Sequence, residues 1–478
     1  MADVNSWTAW RASLTARPAE GWLRPALRML ALLLVLQIPM WIGQRLSPAP
    51  TMLFNVELMV SVLVLLRHPR LGWSLVFVSY GLEAMRQVAV NFHFVELVDF
   101  VNALRFAGLL DYRAYLSPWL LAALVALVVV VQAARRLWRA CVGQPLRPSA
   151  MLVMSIALID VLNGSSPLVG GGDHFSIPVN VAGSPLWAVV DSMIRARTQP
   201  PGQMEIFPAP SHEALKQWHR TRPDASAMVL LVESMGLPKS SAARQWLQSR
   251  LDTPAIRQRW HVESTAEVFS GTTTYGELRV LCGLKGSYAR MTAEMGANCL
   301  PAEWRSEGRS AMAFHGFSLI MFDRGQWWPL VGLTPQTFRP EDKRHCHASF
   351  VGVCDEPLIG RAIEAADTPG RFVYALTLDT HLPLSSVAST PRPPELQAIC
   401  TRDIIADSAC ELIWRTGRVL STLAERATRM QTPSFIAVMG DHAPPFVERG
   451  ARGAFEASRV PLFLLTPMGP EDRARSGR

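Results

Sequence analysis

What the chain lacks narrows the field before any motif is read. No C-x-x-C pair occurs among its seven cysteines, which argues against a zinc–thiolate site. The N-terminus has no short apolar stretch followed by an A-x-A type site, so no cleaved signal peptide is expected. No internal repeat is visible. Polar residues are scarce over 27–162, which Leu, Val, Ala and Met dominate, whereas 200–478 has the mixed polarity of a globular domain. At 478 residues the chain exceeds one ordinary domain, and the split in composition makes two units the minimum. A net charge of +8 does not make this a nucleic-acid binder, because many of the basic residues flank apolar runs, where they set membrane topology.

Five apolar runs, 27–43, 51–66, 71–90, 116–133 and 150–162, predict a helical transmembrane bundle. The second and fifth fall short of the roughly 20 residues that cross a hydrocarbon core, so flanking residues must complete them. Arg67, His68 and Arg70 separate runs two and three, and Arg135, Arg136, Arg139 and Arg147 separate runs four and five. The positive-inside rule then puts the N-terminus in the cytoplasm and everything after residue 165 outside. Cysteine placement gives the same answer independently. Cys282, Cys299, Cys346, Cys354, Cys400 and Cys410 all lie in the globular part, an even set that reads as three disulfides in an oxidising compartment. Nearest neighbours would close three short loops, although six cysteines allow fifteen connectivities. Six buried free thiols in a cytosolic domain are the competing reading. The expected topology is multi-pass, with the globular domain outside the cytoplasm in an oxidising compartment.

Glu83 and Arg86 stand three apart within the third run and predict an ion pair on one helix face. Residues 94–110 have helical apolar spacing (Phe94, Leu97, Val98, Val101, Leu104) and read as an interfacial helix or a surface loop. The expected organisation is a transmembrane domain over 1–165, a linker over 166–225 with one amphipathic helix near 185–197, and an α/β domain over 226–478. In that last region, short apolar runs predict buried strands at 227–232, 311–315, 372–378, 434–439 and 460–466, with helices at 240–250, 356–366 and 411–428. The alternation predicts a mainly parallel central sheet. Such sheets gather ligands beyond the carboxyl ends of their strands. Glu233, His315, Asp379, His381, Asp441 and His442 all stand at or just after such ends.

Three stretches carry the chemistry: Val229–Gly236, Gly271–Glu277 and Met439–His442. Taken singly, each has an ordinary explanation. A strand-end Glu caps a helix or pairs at the surface, an Asp-His pair caps a turn, and Thr with Glu277 makes a capping box. Together they offer two carboxylates, one imidazole and a hydroxyl at a helix start. That set suits a hard divalent cation that activates an alcohol for attack on phosphorus. Asp379 offers a further carboxylate toward a second ion, with a single ion as the default.

These motifs resemble the alkaline phosphatase/sulfatase superfamily, in its lipoteichoic acid synthase and phosphoethanolamine–phosphoglycerol transferase branch. The resemblance implies a membrane bundle followed by an α/β sulfatase-like domain. It implies one divalent cation (Mn, Zn or Mg) held by Glu233, Thr273, Asp441 and His442, with Thr273 as nucleophile. Thr273 matches because the family's threonine precedes a Glu by four residues, as Thr273 precedes Glu277; Thr272 and Thr274 are one-residue slips. His315-Gly316 leading to Phe322-Asp323-Arg324 resembles the headgroup segment, and Thr377-Leu-Asp-Thr-His381 resembles the loop whose His meets the phosphoryl oxygens. His315, Arg324 and His381 are therefore the expected substrate contacts. Phe322 stands where the family often has Trp, with Trp327 and Trp328 shortly after. A true sulfatase is excluded, since Cys282-Gly-Leu-Lys-Gly is not the C-x-P-x-R setting of a formylglycine.

The expectation is a transferase that moves phosphoethanolamine or phosphoglycerol from a membrane phospholipid, through an ester on Thr273, to an envelope glycan or lipid-glycan. The alternatives are a membrane-anchored phosphodiesterase or phosphatase, and a non-catalytic scaffold of an envelope polysaccharide complex.

Overall fold

The computed structural model describes residues 19–48, 52–95, 97–111, 118–143, 146–162, 180–198, 204–338, 349–384 and 391–469. Two compact units emerge, one from residues 1–90 with 117–196, the other from 91–116 with 197–478.

The first unit is helical: α1 (Ala19–Leu46), α2 (Val56–Leu65), α3 (Pro69–Asn91), α4 (Pro118–Cys141) and α5 (Leu146–Leu162). Helix α1 packs against α4 and α5. Its Met29, Leu33, Leu36 and Met40 lie inside at helical spacing, while Leu27, Ile38 and Ile42 on other faces stay exposed. A helix apolar all round belongs in a core or a bilayer. Among the described residues, two helices are long and apolar enough to cross a membrane, Leu23–Leu46 and Leu121–Cys141. Four of the five predicted runs fall on helices; the second opens as a strand, Met52–Asn55, before α2, whose ten residues give about 15 Å of rise against a core of about 30 Å. Glu83 and Arg86 do pair: Arg86 Nε donates to Oε2 at 2.9 Å and Nη2 to Oε1 at 2.8 Å. Gln44 and Gln87 also donate to the buried Glu83, so the pair is a satisfied packing element.

The second unit is built on a seven-stranded sheet. Its strands are β1 (Ala227–Val232), β2 (Trp260–Val268), β3 (Ala311–His315), β4 (Thr334–Gln336), β5 (Phe372–Leu376), β6 (Phe435–Gly440) and β7 (Arg459–Pro467), in the order β2-β7-β6-β1-β5-β3-β4. From β6 to β4 every pair is parallel; β7 joins β6 and β2 antiparallel. The strands near the middle are buried on both faces, and β1 shows why. Met228, Leu230 and Val232 enter one core with α7 (Ser241–Leu251), α9 (Asp355–Ala366) and α10 (Asp407–Thr428). Ala227, Val229 and Leu231 enter a second core with α6 (Pro210–Thr221) and α8 (Thr273–Cys282). The two-residue period of a strand thus feeds two layers of helices.

Two stretches depart from the expected pattern. Edge strand β2 has no apolar run, because most of its side chains are half-buried or exposed. Helix α6 falls where a Pro-rich linker was expected, yet its Leu215 and Trp218 are core residues. Residues 97–109 form a helix, Leu97–Ala103, and a 3-10 turn, Leu104–Leu109, that cluster with this unit. Disulfides Cys282–Cys299 and Cys400–Cys410 match the nearest-neighbour pairing. Cys354 is disulfide-bonded, and Cys346 lies outside the described residues. Cys141 is a buried free thiol.

Candidate metal centre and nucleophile

Strand β1 hydrogen-bonds to strands on both sides and ends at Val232, so Glu233 leaves the sheet with little freedom. Thr377 Oγ1 accepts the Glu233 N–H at 3.0 Å, and Thr380 donates to the Glu233 carbonyl. Ser234 then adopts φ 53°, a left-handed backbone that costs a non-glycine residue about a kcal/mol or more. That turn aims the Ser234 N–H at Asp441 Oδ1, 2.7 Å away, and lets Ser234 Oγ donate to Glu233 Oε1 at 3.0 Å.

Asp441 and His442 follow the neighbouring strand β6. Asp441 Oδ1 accepts two backbone N–H groups, from Ser234 and His442, each at 2.7 Å. Its other oxygen, Oδ2, is buried with no hydrogen-bond donor. His442 Nδ1 lies 2.9 Å from the Ala443 carbonyl. A carbonyl can only accept, so Nδ1 carries a proton, and in the neutral ring it is Nε2 that keeps the lone pair. That lone pair sits 3.2 Å from Asp441 Oδ2 and 3.7 Å from Glu233 Oε1.

The hydroxyl arrives from helix α8. Gly271 takes φ 76° and opens the turn before it. Thr272 is the N-cap residue but makes no capping bond with its side chain. Its hydroxyl instead lies 3.2 Å from that of Thr274. Thr273 is the member of the trio that meets the buried cluster, donating to Glu233 Oε2 at 3.1 Å and lying 3.4 Å from His442 Nε2. Two devices lock α8 to the end of β6. At Gly276 an added Cβ would stand 3.1 Å from the Asp441 Cα. One turn on, buried Arg279 donates to the carbonyls of Gly440 at 2.7 Å and Asp441 at 3.1 Å, and pairs with buried Glu267 at 3.0 Å.

The electrostatics fit a cation. Ligand atoms of Glu233, Asp441 and His442 all lie within 4.8 Å of one another, and all three residues are buried. Burial, and then the neighbouring Glu233 charge, push Asp441 up to about 7. Burial opposes charge on Glu233 as well, but His381 and His442 hold its carboxyl below the usual range. Two buried carboxylates therefore compete for one proton, and a donorless oxygen points where a positive ion would satisfy it. The donor set of two carboxylates, one imidazole and one hydroxyl suits Mn²⁺, Mg²⁺ or Zn²⁺.

The remaining expected residues sit in different ways. His381 is half-buried, edge-on to Phe350 at 4.6 Å, and burial pushes its imidazole below the usual value while Glu233 pulls it back. His315 ends β3, with Nδ1 3.3 Å from the Leu376 carbonyl. Arg324 is buried and engaged: its Nε and Nη2 donate to Glu277 Oε1 at 2.9 and 2.7 Å, and Trp328 Nε1 donates to Oε2 at 2.8 Å. Glu277 is thus no capping-box partner; it ties the Arg324 loop to the helix of Thr273. Asp379 faces a carboxylate that sequence reasoning missed. Asp355 accepts the N–H groups of Leu378 at 2.7 Å and Asp379 at 3.0 Å, and its own N–H donates to Asp379 Oδ2 at 3.2 Å. Burial pushes Asp379 up to about 6 and Asp355 well above the carboxylate range.

Residues 91–109 supply further neighbours that no motif announced. Asp99 accepts from Tyr275 Oη at 2.9 Å and Ser287 Oγ at 2.8 Å. Arg105 pairs with Asp323, and Phe106 packs edge-on against Phe322 at 5.7 Å. His93 lies with its ring centroid 5.4 Å from that of His442.

No family model matches the chain, and no curated protein matches it. Among solved structures it is similar to the lipoteichoic acid synthase LtaP from Listeria monocytogenes, at 14% identity and a TM-score of 0.36, over 51% of this chain and 65% of that one. The phosphoglycerol transferase GacH from Streptococcus pyogenes, in complex with sn-glycerol-1-phosphate, matches at 13% and 0.33, over 56% of this chain and 77% of that one. The C-terminal periplasmic domain of EptC from Escherichia coli matches at 9% and 0.31, over 52% and 75%. These likenesses cover about half of this chain, and the chain spans a little under two thirds of the length of the first of them.

Proposed function

We propose that this protein is a membrane-held phosphotransferase that takes a phospho-alcohol headgroup, phosphoethanolamine or phosphoglycerol, from a phospholipid and passes it to an envelope glycan or lipid-glycan. One observation carries the reading. The Thr273 hydroxyl donates to Glu233 inside a buried cluster whose Asp441 oxygen has no donor. A divalent cation held by Glu233, Asp441, His442 and Thr273 would lower the hydroxyl's pKa and neutralise the phosphoryl oxygens.

The chain's own groups do the rest. Thr273 Oγ1 bonds to phosphorus as the bond from phosphorus to the diacylglycerol oxygen breaks. The hydroxyl proton passes toward Glu233 Oε2, 3.1 Å away, and the departing diacylglycerol oxygen takes up one proton. His381, close enough for the charges of Glu233 and His442 to act on it, serves the leaving oxygen. An acceptor hydroxyl then attacks the threonine ester in line, restoring Thr273 and inverting phosphorus a second time. His315 and the Arg324–Glu277 loop line the headgroup side. Tethering by apolar helices, of which two are long enough to cross a bilayer, keeps the lipid donor at high effective concentration. In this reading the N-terminal helices span a bacterial inner membrane several times and the sheet domain works in the periplasm.

The test uses purified full-length protein, phosphatidylethanolamine or phosphatidylglycerol labelled in the headgroup, and mass spectrometry of the Thr273 peptide. One label should stay on Thr273 with release of diacylglycerol, and Thr273→Ala should show neither. Diacylglycerol release by Thr273→Ala at the wild-type rate would overturn the mechanism. Label appearing only as free headgroup phosphate would make the protein a hydrolase.

A further inference from the structure

The Ala443 carbonyl is shared by two imidazoles. His442 Nδ1 donates to it at 2.9 Å, and so does His93 Nε2, also at 2.9 Å. A carbonyl has two lone pairs, so these two donors saturate it. Two residues earlier, Asn91 Nδ2 donates to the Pro445 carbonyl at 2.8 Å. The turn that follows the ligand pair is therefore held at Ala443 and Pro445 by side chains more than three hundred residues away in sequence. His93 itself is fixed by its edge-on contact with Phe269 at 5.3 Å and by a left-handed backbone, φ 60°.

We propose that His93 is a positioning residue of the metal centre: by holding the Ala443 carbonyl, it fixes the orientation and tautomer in which His442 presents Nε2 to the ion. The physical case is that of any histidine ligand. Its second nitrogen needs a fixed acceptor, and loss of such support costs about 10- to 100-fold in metal affinity. Here the acceptor is a carbonyl in a loop after a strand end, with no ladder partner of its own. His93 and Asn91 replace the sheet as its anchor. The centre is thus completed by a segment outside 226–478, the region that holds all four ligands, and a chain cut to that region would lack it.

The inference rests on the metal-centre reading, and the experiment separates the two. Metal-stripped full-length protein is titrated with Mn²⁺ alone, as wild type and as His93→Phe, His93→Gln and Asp441→Asn. Phenylalanine keeps the ring contacts and loses the donor; glutamine keeps a donor of similar reach and loses the ring. We expect Kd to rise 10- to 100-fold in His93→Phe, with activity recovering at saturating Mn²⁺, and to stay within about threefold of wild type in His93→Gln. Unchanged Kd in the phenylalanine variant, or a glutamine variant no better than it, overturns the role of His93. If His93→Phe does not fold, His93→Leu, which also loses the donor to Ala443, takes its place with the same expected direction and the same overturning result. Failure of the wild type to bind Mn²⁺, or unaltered binding in Asp441→Asn, would instead sink the metal-centre reading itself.

Discussion

The two units bury opposite things. In the first, large apolar side chains are left outside: on α4, Leu121 is 66% exposed, Val128 58% and Val129 62%. In the second, charges are inside: Glu277 and Asp441 are 0% exposed, Arg279 and Arg324 2%. A soluble protein seldom tolerates the first pattern over a whole helix, and water is the wrong surroundings for it. The second pattern is stable only where every charge has a fixed partner. The contrast teaches that the two units solve different problems: the first leaves apolar side chains facing outward, and the second places fixed dipoles around a hydroxyl.

The sharpest way to break the contrast is to orphan a charge. Arg279→Leu leaves Glu267 buried without its partner and should cost about 3 to 5 kcal/mol in thermal unfolding of the second unit. Adding Glu267→Leu should recover much of that. A single-variant cost under about 1 kcal/mol would mean that the interior charges are better solvated than their burial implies. Next in size, Val128→Arg should hinder membrane insertion by about 3 kcal/mol, read as the fraction inserted in microsomes. In a helix facing water the same change would be nearly silent, so no effect on insertion would remove the lipid-facing half of the comparison.

A smaller effect sharpens the picture through pH. Asp379 is raised to about 6 in the folded protein, by burial first. An acid whose folded pKa is raised gives its stability below the unfolded value, about 3.9, and loses it as pH rises through the folded one. Asp379→Asn should therefore raise the melting temperature above pH 6, by the equivalent of about 1 to 3 kcal/mol, and do little at pH 4. A benefit that is equal at both pH values would disconnect the Asp355–Asp379 pair from titration. Smallest of all, Glu425→Ala removes a surface partner of Arg429, where both side chains are 64% exposed, and should change stability by less than about 0.5 kcal/mol.

Legibility in the sequence followed burial. The strands at 227–232, 311–315 and 434–439 were readable because both faces are buried, so each is a continuous apolar run. Strand β2 hid because a water-facing edge strand reads Trp-His-Val-Glu-Ser-Thr-Ala-Glu-Val, with charges where an apolar run would be. The strand-end positions of Glu233, Asp441 and His442 could be seen as a pattern; their convergence within 4.8 Å needed the sheet order. Glu277 illustrates the limit. Its spacing from Thr273 was visible, but its binding of Arg324 and Trp328 joins residues 47 and 51 positions apart, which no local rule encodes. Asp355 and His93 were missed for the same reason: each acts only through partners folded against it.

Gly276 has a consequence for how finely the site can be tuned. A helix interior disfavours glycine by about 1 kcal/mol relative to alanine, yet here a methyl group would stand 3.1 Å from both the Cα and Cβ of Asp441. The spacing between hydroxyl and ligand is therefore gauged by two main chains lying almost in touch, with no soft side chain between them. One carbon atom inserted at that seam would push the Thr273 hydroxyl and the Asp441 carboxylate apart by a few tenths of an ångström while leaving every functional group in place. Reactivity would then be a matter of distance alone.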